Sequence, residues 1–351
     1  MADLLIDLYR VKDPYSGLGQ FSLQLGRALL AAGGDGHRLT FLVPDGFTAD
    51  DLRGAATVRD RMGLRLLPRL AGPFGLWHSV HQLPSHHAPR GTPWVYTVHD
   101  LNFLIEKPPA KAARFRARLQ RQLDRATAIT AISAHTQAQL EAHIDLRGRT
   151  VHVIPNGVRR PVPGLAPLPP GVGARPFFLA VGVLKEKKRI DSLLPMMRHF
   201  PEHDLVIAGN DRTAYGDDLR ARAAALHHRD RIRLLGPVSD AVRDTLYAHC
   251  AALLFPSQAE GFGLPVAEAM ALGKPVLAYC GTSAAEIGGD AAFYFDDHAP
   301  EPLAEALRAA LNAWESLGPR GPQRAMEQAA RFSWEQCAQR YLRLYAEVLR
   351  D

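Results

Sequence analysis

The chain has 351 residues and a mass of 38.5 kDa, with 47% hydrophobic and 22% charged residues. This composition excludes a disordered chain, and the length exceeds one ordinary core, so two domains are expected. A formal charge of +6 and a pI near 9.3 favour a partner carrying phosphate: a nucleotide, a nucleic acid or an anionic membrane.

The first residues, MADLLIDLYRVKD, set Asp3 and Asp7 inside a short apolar run. No stretch approaches the roughly 18 apolar residues of a membrane span, so neither a signal peptide nor a transmembrane helix is expected. Cys250, Cys280 and Cys337 are far apart and odd in number, which suits neither a disulfide framework nor a zinc site and points to the cytoplasm.

Short apolar, β-rich runs alternate with helical stretches, the pattern of parallel α/β sheets. Strands are expected at LLIDLY, LTFLVP, LRLL, WVYTVHD, AITAIS and VHVIP in the first half, and at FFLAVGV, DLVIAGN, RIRLLG, AALLFPS, KPVLAY and AAFYFD in the second. Between them, RRPVPGLAPLPPGVGARP is too rich in Pro and Gly for helix or sheet and reads as a linker. The expected division is a domain over 1–158, a linker over 159–176 and a second domain over 177–332. Two doubly wound, Rossmann-like α/β domains would bring the carboxyl ends of both sheets to an interdomain crevice. A last helix within 333–351 starts at FSWEQ, with Ser333 as N-cap and Gln336 completing a capping box. Its apolar face carries Trp334, Cys337, Tyr341, Tyr345 and Val348, and it is expected to pack back on the first domain.

Several stretches carry chemistry. LYRVKDPYSGLGQF places Gly17 and Gly19 between the first strand and the first helix, where backbone can approach a phosphate. WVYTVHD ends a strand on His99 and Asp100, at the edge where ligands of open sheets bind. GLWHSVHQLPSHHAP holds His78, His81, His86 and His87 in an apparent loop without metal-ligand spacing. Residues 107–126 read as a helix with Phe115, Leu119 and Leu123 on one stripe and Lys111, Arg114, Arg118 and Arg121 among the basic remainder, a face suited to an anionic membrane. Phe115 is its one aromatic residue, so base stacking on nucleic acid is poorly supported.

The most informative stretch is PSQAEGFGLPVAEAMALGKPV. A strand, AALLFPS, leads into a glycine turn, and Pro265 and Gly273 bracket a helix over about 264–272. Backbone N–H groups at that helix start favour a phosphate. Glu260 and Glu268, the latter read in the first helical turn, would repel phosphate but accept hydrogen bonds from neutral hydroxyls beside it.

The run Glu260-Gly261-Phe262-Gly263-Leu264-Pro265 followed by Glu268 resembles the E-x7-E motif of glycosyltransferase family 4, retaining enzymes of the GT-B fold. The resemblance implies that Glu260 contacts the transferred sugar and Glu268 the ribose of a nucleoside diphosphate sugar. AVGVLKEKKRID is similar to the family's diphosphate-gripping segment, which assigns Gly182, Lys187 and Lys188 to the donor. The usual Arg-Lys-Asn is here Lys-Lys-Arg, so Arg189 is a second candidate partner for Lys188. Gly17 and Gly19 match the family's glycine loop, and His99, Asp100 and His78 match its acceptor side. Glu260, Lys188, Lys187 and His99 form the expected catalytic group.

The implied reaction transfers a hexose to an acceptor hydroxyl with retention, in polysaccharide, lipopolysaccharide or glycolipid assembly. GDP-mannose is the favoured donor and UDP-glucose the next, with a glycan or lipid-linked acceptor and no nucleic acid. No Asp-x-Asp triplet occurs, so a metal-independent enzyme without cofactor is expected, with the lysines neutralising the leaving diphosphate. Its expected location is cytoplasmic, peripheral on the inner membrane face. The alternatives are a GT-B epimerase or phosphorylase, a glycosidase with paired carboxylates, and a basic membrane- or nucleic-acid-binding protein.

Overall fold

The computed structural model describes residues 1–13, 16–47, 52 and 54–350, without the side chains of residues 62 and 66. Two compact units emerge, Met1–Gly157 with Phe332–Asp351, and Val158–Arg331.

The first unit holds a seven-stranded sheet: β1 (Asp3–Asp7), β2 (Arg38–Val43), β3 (Ala56–Arg59), β4 (Leu76–Ser79), β5 (Trp94–Val98), β6 (Ala128–Ala131) and β7 (Val151–Val153). The order is β3-β2-β1-β4-β5-β6-β7, and every pairing is parallel. Successive side chains of a strand face opposite sides. Leu4 and Ile6 accordingly join Phe21, Phe41, Tyr341 and Tyr345 in one core layer, while Leu5 joins Leu42, Trp77 and Trp94 in the other. The C-terminal helix, Trp334–Val348, packs against the first helix, Gly17–Ala31, and Ser333 Oγ accepts from the Gln336 N–H at 3.1 Å.

The second unit holds a six-stranded sheet: β8 (Phe177–Val181), β9 (Asp204–Ala208), β10 (Ile232–Gly236), β11 (Ala252–Phe255), β12 (Val276–Tyr279) and β13 (Phe293–Phe295). Its order is β10-β9-β8-β11-β12-β13, again with parallel pairing throughout. Both sheets reverse their winding once, between β1 and β4 and between β8 and β11. At such a switch point the loops leaving the two strands diverge and open a site at the carboxyl edge.

Two sequence expectations are corrected. LRLL is not a strand: Leu64 to Leu66 finish the short helix Met62–Leu66, and the ladder beside β2 is taken by β3. An alternating run of four residues fits one helical turn as well as a short strand. The histidine-rich stretch is not all loop, because LWHS forms the fully buried β4 next to β1. Its serine and histidine are satisfied inside: Trp94 Nε1 donates to Ser79 Oγ at 3.0 Å, and His78 bonds at both ring nitrogens. Residues 159–176 form no helix or strand, as their Pro and Gly content predicts, and they are tied to the helix Asp240–His249. Arg159 forms a two-pronged ion pair with Asp244, Val162 N–H donates to Asp244 Oδ2 at 2.7 Å, and Thr245 Oγ1 donates to the Ala166 carbonyl at 2.8 Å.

Candidate functional site

Of the donor-side candidates, Gly182, Lys187, Lys188 and Glu260 meet at the switch point of the second sheet, whereas Gly17 and Gly19 lie in the first unit. β8 ends at Val181 and releases Gly182, whose φ of +150° belongs to glycine, and the chain then turns through Glu186–Lys188. A Cβ on Gly182 would lie 3.5 Å from Lys188 Cε, so the lysine side chain runs over this bare backbone. β11, the neighbouring strand, releases Ser257 and Glu260. The two loops are tied together, since Gln258 N–H donates to the Lys187 carbonyl at 2.8 Å.

Across this junction Lys188 Nζ donates to Glu260 Oε1 in an ion pair, and Ser257 Oγ donates to the same oxygen at 2.6 Å. The Lys188 and Glu260 side chains are only 15% and 14% exposed. Burial pushes the Glu260 carboxyl upward, but the charges of Lys188 and Lys187 and the two hydrogen bonds outweigh it and hold the group below its usual range. Glu260 is therefore an ionised acceptor at neutral pH, with Oε2 open to further donors in the bonding described. Ser283 Oγ donates to the Glu260 carbonyl at 3.1 Å and anchors the turn from the next loop. Arg189 sits in the left-handed region at φ +49° and lies 3.6 Å from Asp191, not beside Glu260.

Past Glu260 the chain passes buried Gly261 and Phe262 to Gly263, at φ +100° and ψ 48°, which caps the helix Leu264–Ala271. Glu268 is the fifth residue of that helix and so lies in its second turn, a correction to the first-turn reading. The helix starts at Leu264 as the sequence predicts, and at 3.6 residues per turn its first turn closes before the fifth residue. In this place it does not cap the helix start but points into the protein, where Tyr247 OH donates to Oε2 at 2.9 Å. Arg243 NH2 stands 3.8 Å from Oε1. Burial raises the Glu268 carboxyl above its ordinary range, and Arg243, Tyr247 and Arg159 pull against it.

Ser257, Ser283, Tyr247 and Arg243 were not singled out from the sequence. Ser257 had a signal, standing three positions before Glu260 at a strand end. Tyr247 and Arg243 had none locally, because they reach Glu268 from a separate helix, Asp240–His249.

The candidates in the first unit occupy other settings. Gly17 and Gly19 are not in a loop but in the first turn of the helix Gly17–Ala31, whose N-cap Ser16 takes the Gly19 N–H at 3.0 Å. A Cβ on Gly19 would overlap the Asp13 carbonyl, so this glycine is required by its own chain, whereas Gly17 faces open space. His78 is fully buried, with Nδ1 2.6 Å from Tyr345 OH and Nε2 2.8 Å from Thr97 Oγ1. Both nitrogens are engaged, which removes it from any acceptor surface. His99 follows β5, is 5% exposed, bonds the Val80 carbonyl through Nε2 at 2.8 Å and lies edge-on to Phe21. Burial lowers its pKa to about 4, so the ring is neutral at pH 7 and Nε2 carries the proton it donates. Asp100 Oδ1 accepts from Asn102 N–H at 3.0 Å and from Gln82 Nε2 at 3.3 Å.

The remaining histidines do not converge: among the described residues no group of three His, Cys, Asp or Glu side chains could hold a metal ion. His86 instead bridges toward Asp60 at 2.8 Å and Asp7 at 3.8 Å. The basic helix spans Pro109–Leu123, burying Leu119 and Leu123, with Phe115 against Phe103 at 5.8 Å. Lys111, Arg114, Arg118 and Arg121 are exposed, and Arg118 also donates to the Pro84 carbonyl at 3.1 Å. No described helix is long and apolar enough to cross a membrane.

Comparison with known proteins places these features in context. The sequence profile described as Glycosyl transferases group 1 matches residues 171–331, and that described as Glycosyltransferase Family 4 matches residues 15–160. The chain is similar to O-antigen chain mannosyltransferase B of Escherichia coli, 25% identical over 95% of this chain and 97% of that protein. It is 32% identical, over 49% of its length and 44% of the relative's, to GDP-mannose:cellobiosyl-diphosphopolyprenol alpha-mannosyltransferase of Komagataeibacter xylinus. Among solved structures it resembles sucrose-phosphate synthase from Thermosynechococcus elongatus, with a TM-score of 0.76, 19% identity and 99% of both chains covered. It also resembles Anabaena HepE in complex with UDP and glucose, with a TM-score of 0.74, 18% identity and 99% of both chains covered. These two likenesses concern the fold, a pair of Rossmann-like domains of the GT-B type.

Proposed function

The chain belongs to glycosyltransferase family 4 and is a glycosyltransferase; from that premise we propose that it moves a hexose, mannose in our reading, from a nucleoside diphosphate sugar to an acceptor hydroxyl with retention at the anomeric carbon. The observation that carries this reading is the Lys188–Glu260–Ser257 junction at the β8/β11 switch point, with Glu268, on the helix that follows, held by Tyr247. Cation and carboxylate side by side suit a donor whose diphosphate neighbours sugar hydroxyls. Lys188, with Lys187, neutralises the diphosphate as it departs. Glu260 accepts from hydroxyls of the transferred sugar, and Glu268 from those of the ribose. Neither glutamate is the nucleophile; the departing phosphate oxygen takes the acceptor proton on the same face.

GDP-mannose is the proposed donor, supported by the two mannosyltransferase relatives. UDP-glucose is the second reading, supported by the Anabaena HepE complex that holds it. The acceptor is a glycan or lipid-linked glycan, in polysaccharide, lipopolysaccharide or glycolipid assembly. Exposed Lys111, Arg114 and Arg121 provide contact with an anionic membrane on its cytoplasmic face. Diphosphate neutralisation by lysine makes the reaction independent of metal.

A thermal-shift panel of GDP, UDP, ADP and TDP sugars tests the donor, followed by transfer to a lipid-linked glycan in EDTA and by NMR of the product's anomeric proton. Stabilisation by GDP-mannose and a retained α-linkage support the reading. Release of free sugar without any nucleotide would replace it with a glycosidase, and interconversion of the donor or a phosphate requirement with an epimerase or phosphorylase.

A further inference from the structure

Arg243 and Tyr247 stand one turn apart on the helix Asp240–His249, so both side chains leave the same face and reach Glu268 together. Their roles there differ. Tyr247 is fully buried and spends its hydroxyl on Glu268 Oε2 at 2.9 Å. Arg243 NH2 stops 3.8 Å short of Oε1, beyond hydrogen-bond distance. Its NH1 is held by Asp240 at 3.1 Å, while its Nε is buried with no partner among the described residues. A buried guanidinium N–H without an acceptor is costly.

The gap has the dimensions of a hydroxyl. An oxygen about 2.9 Å from both NH2 and Oε1 would sit at the apex of a triangle whose base is the observed 3.8 Å. A hydroxyl there would accept from the guanidinium and donate to the carboxylate at once, which neither a phosphate nor an apolar group can do. A ribose diol supplies two such groups on adjacent carbons. Resting on the nucleotide-sugar reading above, we propose that Arg243 is a second ribose-recognition residue, which with Glu268 brackets a hydroxyl of the donor ribose and discriminates ribonucleotides from their deoxy analogues.

The test is calorimetric titration of the full chain with GDP, 2′-deoxy-GDP and 3′-deoxy-GDP, using the UDP or ADP series should either be the tighter ligand. Wild type, Arg243→Gln and Arg243→Lys are compared after circular dichroism and urea unfolding show that each is folded. Wild type is expected to prefer the ribonucleotide over at least one deoxy analogue by about tenfold to a hundredfold, the range for a hydrogen bond to a charged group. In Arg243→Gln that preference should collapse to within about threefold, because the ribonucleotide weakens and the deoxy form does not; Arg243→Lys should restore part of it. Equal weakening of all three nucleotides would assign Arg243 to holding Glu268 in place and overturn the proposal, as would an unchanged preference. A wild type that binds no GDP, UDP or ADP removes the nucleotide-sugar reading itself and the inference with it.

Discussion

The Lys188–Glu260 pair permits a measurement that depends on no assumed substrate. Both side chains are largely withdrawn from water, 15% and 14% exposed. Removing one partner of a buried ion pair leaves the other charge uncompensated and costs about 3–5 kcal/mol, and the residual exposure here places Lys188→Met at about 2–3 kcal/mol. Glu260 would keep the Ser257 hydrogen bond and the attraction of Lys187. Glu260→Gln should cost less, about 1–2 kcal/mol, because the amide still offers Lys188 an oxygen. The double variant has no charge left to strand, so its cost should fall below the sum by about 1.5–2.5 kcal/mol. Urea unfolding followed by circular dichroism, fitted with a transition for each unit, reads this directly. With a slope of about 2 kcal/mol/M, the coupling corresponds to a midpoint difference of about 1 M. Costs that add to within about 0.5 kcal/mol would refute the pair as a coupled unit. In turnover, Lys188→Met should lower kcat more than it raises KM, since the charge it faces grows in the transition state.

Three further outcomes follow from the structure. Glu268→Ala should weaken donor binding by about 1.5–3 kcal/mol in calorimetry, and unchanged binding would remove Glu268 from the ribose site. Gly209 has φ +144°, and a Cβ there would overlap the Gly182 carbonyl oxygen beneath Lys188. Gly209→Ala should therefore destabilise the second unit by at least about 2 kcal/mol in the same urea assay, and a neutral result would contradict the packing. Burial lowers His78 and His81 to about 3 and His99 to about 4, below the unfolded value near 6.5. Depressed folded values mean that stability is fully present above pH 6.5 and is lost as pH falls and the unfolded chain takes up protons. Asp7, raised by burial to about 6, runs the other way, its contribution being complete below pH 4 and lost as pH rises through 6. Three histidines outweigh one carboxyl, so the urea midpoint of the first unit, read by fluorescence from buried Trp77 and Trp94, should drop between pH 7 and 5. A constant or rising midpoint would contradict the burial of these rings.

Legibility in the sequence followed the locality of each signal. DLLID and DLVIA announce strands because parallel strands buried on both faces are continuous apolar runs. LWHS escaped because its histidine and serine are satisfied by Thr97, Tyr345 and Trp94, partners distant in sequence. His78 misled for the same reason: an ionisable residue near a strand end reads as a ligand contact until its two partners are seen. The turn from Glu260 to Pro265 was legible because glycine and proline mark backbone geometry locally. The side chains that hold its two glutamates were not, since Lys188 comes from the neighbouring strand's loop and Tyr247 from a separate helix. Gly19 shows that one residue type can have two causes: its place at a helix start suits phosphate access, and its own Asp13 carbonyl already fills the space.

The proposed reaction requires a nucleoside diphosphate sugar seated on the second unit. Calorimetric titration of the full chain with GDP-mannose in EDTA, beside Glu268→Ala, tests this most directly. We predict one site per chain for the wild type and an affinity lowered by about tenfold or more in the variant. Absence of binding by GDP-, UDP-, ADP- and TDP-sugars alike, or equal affinity in the two proteins, would contradict it.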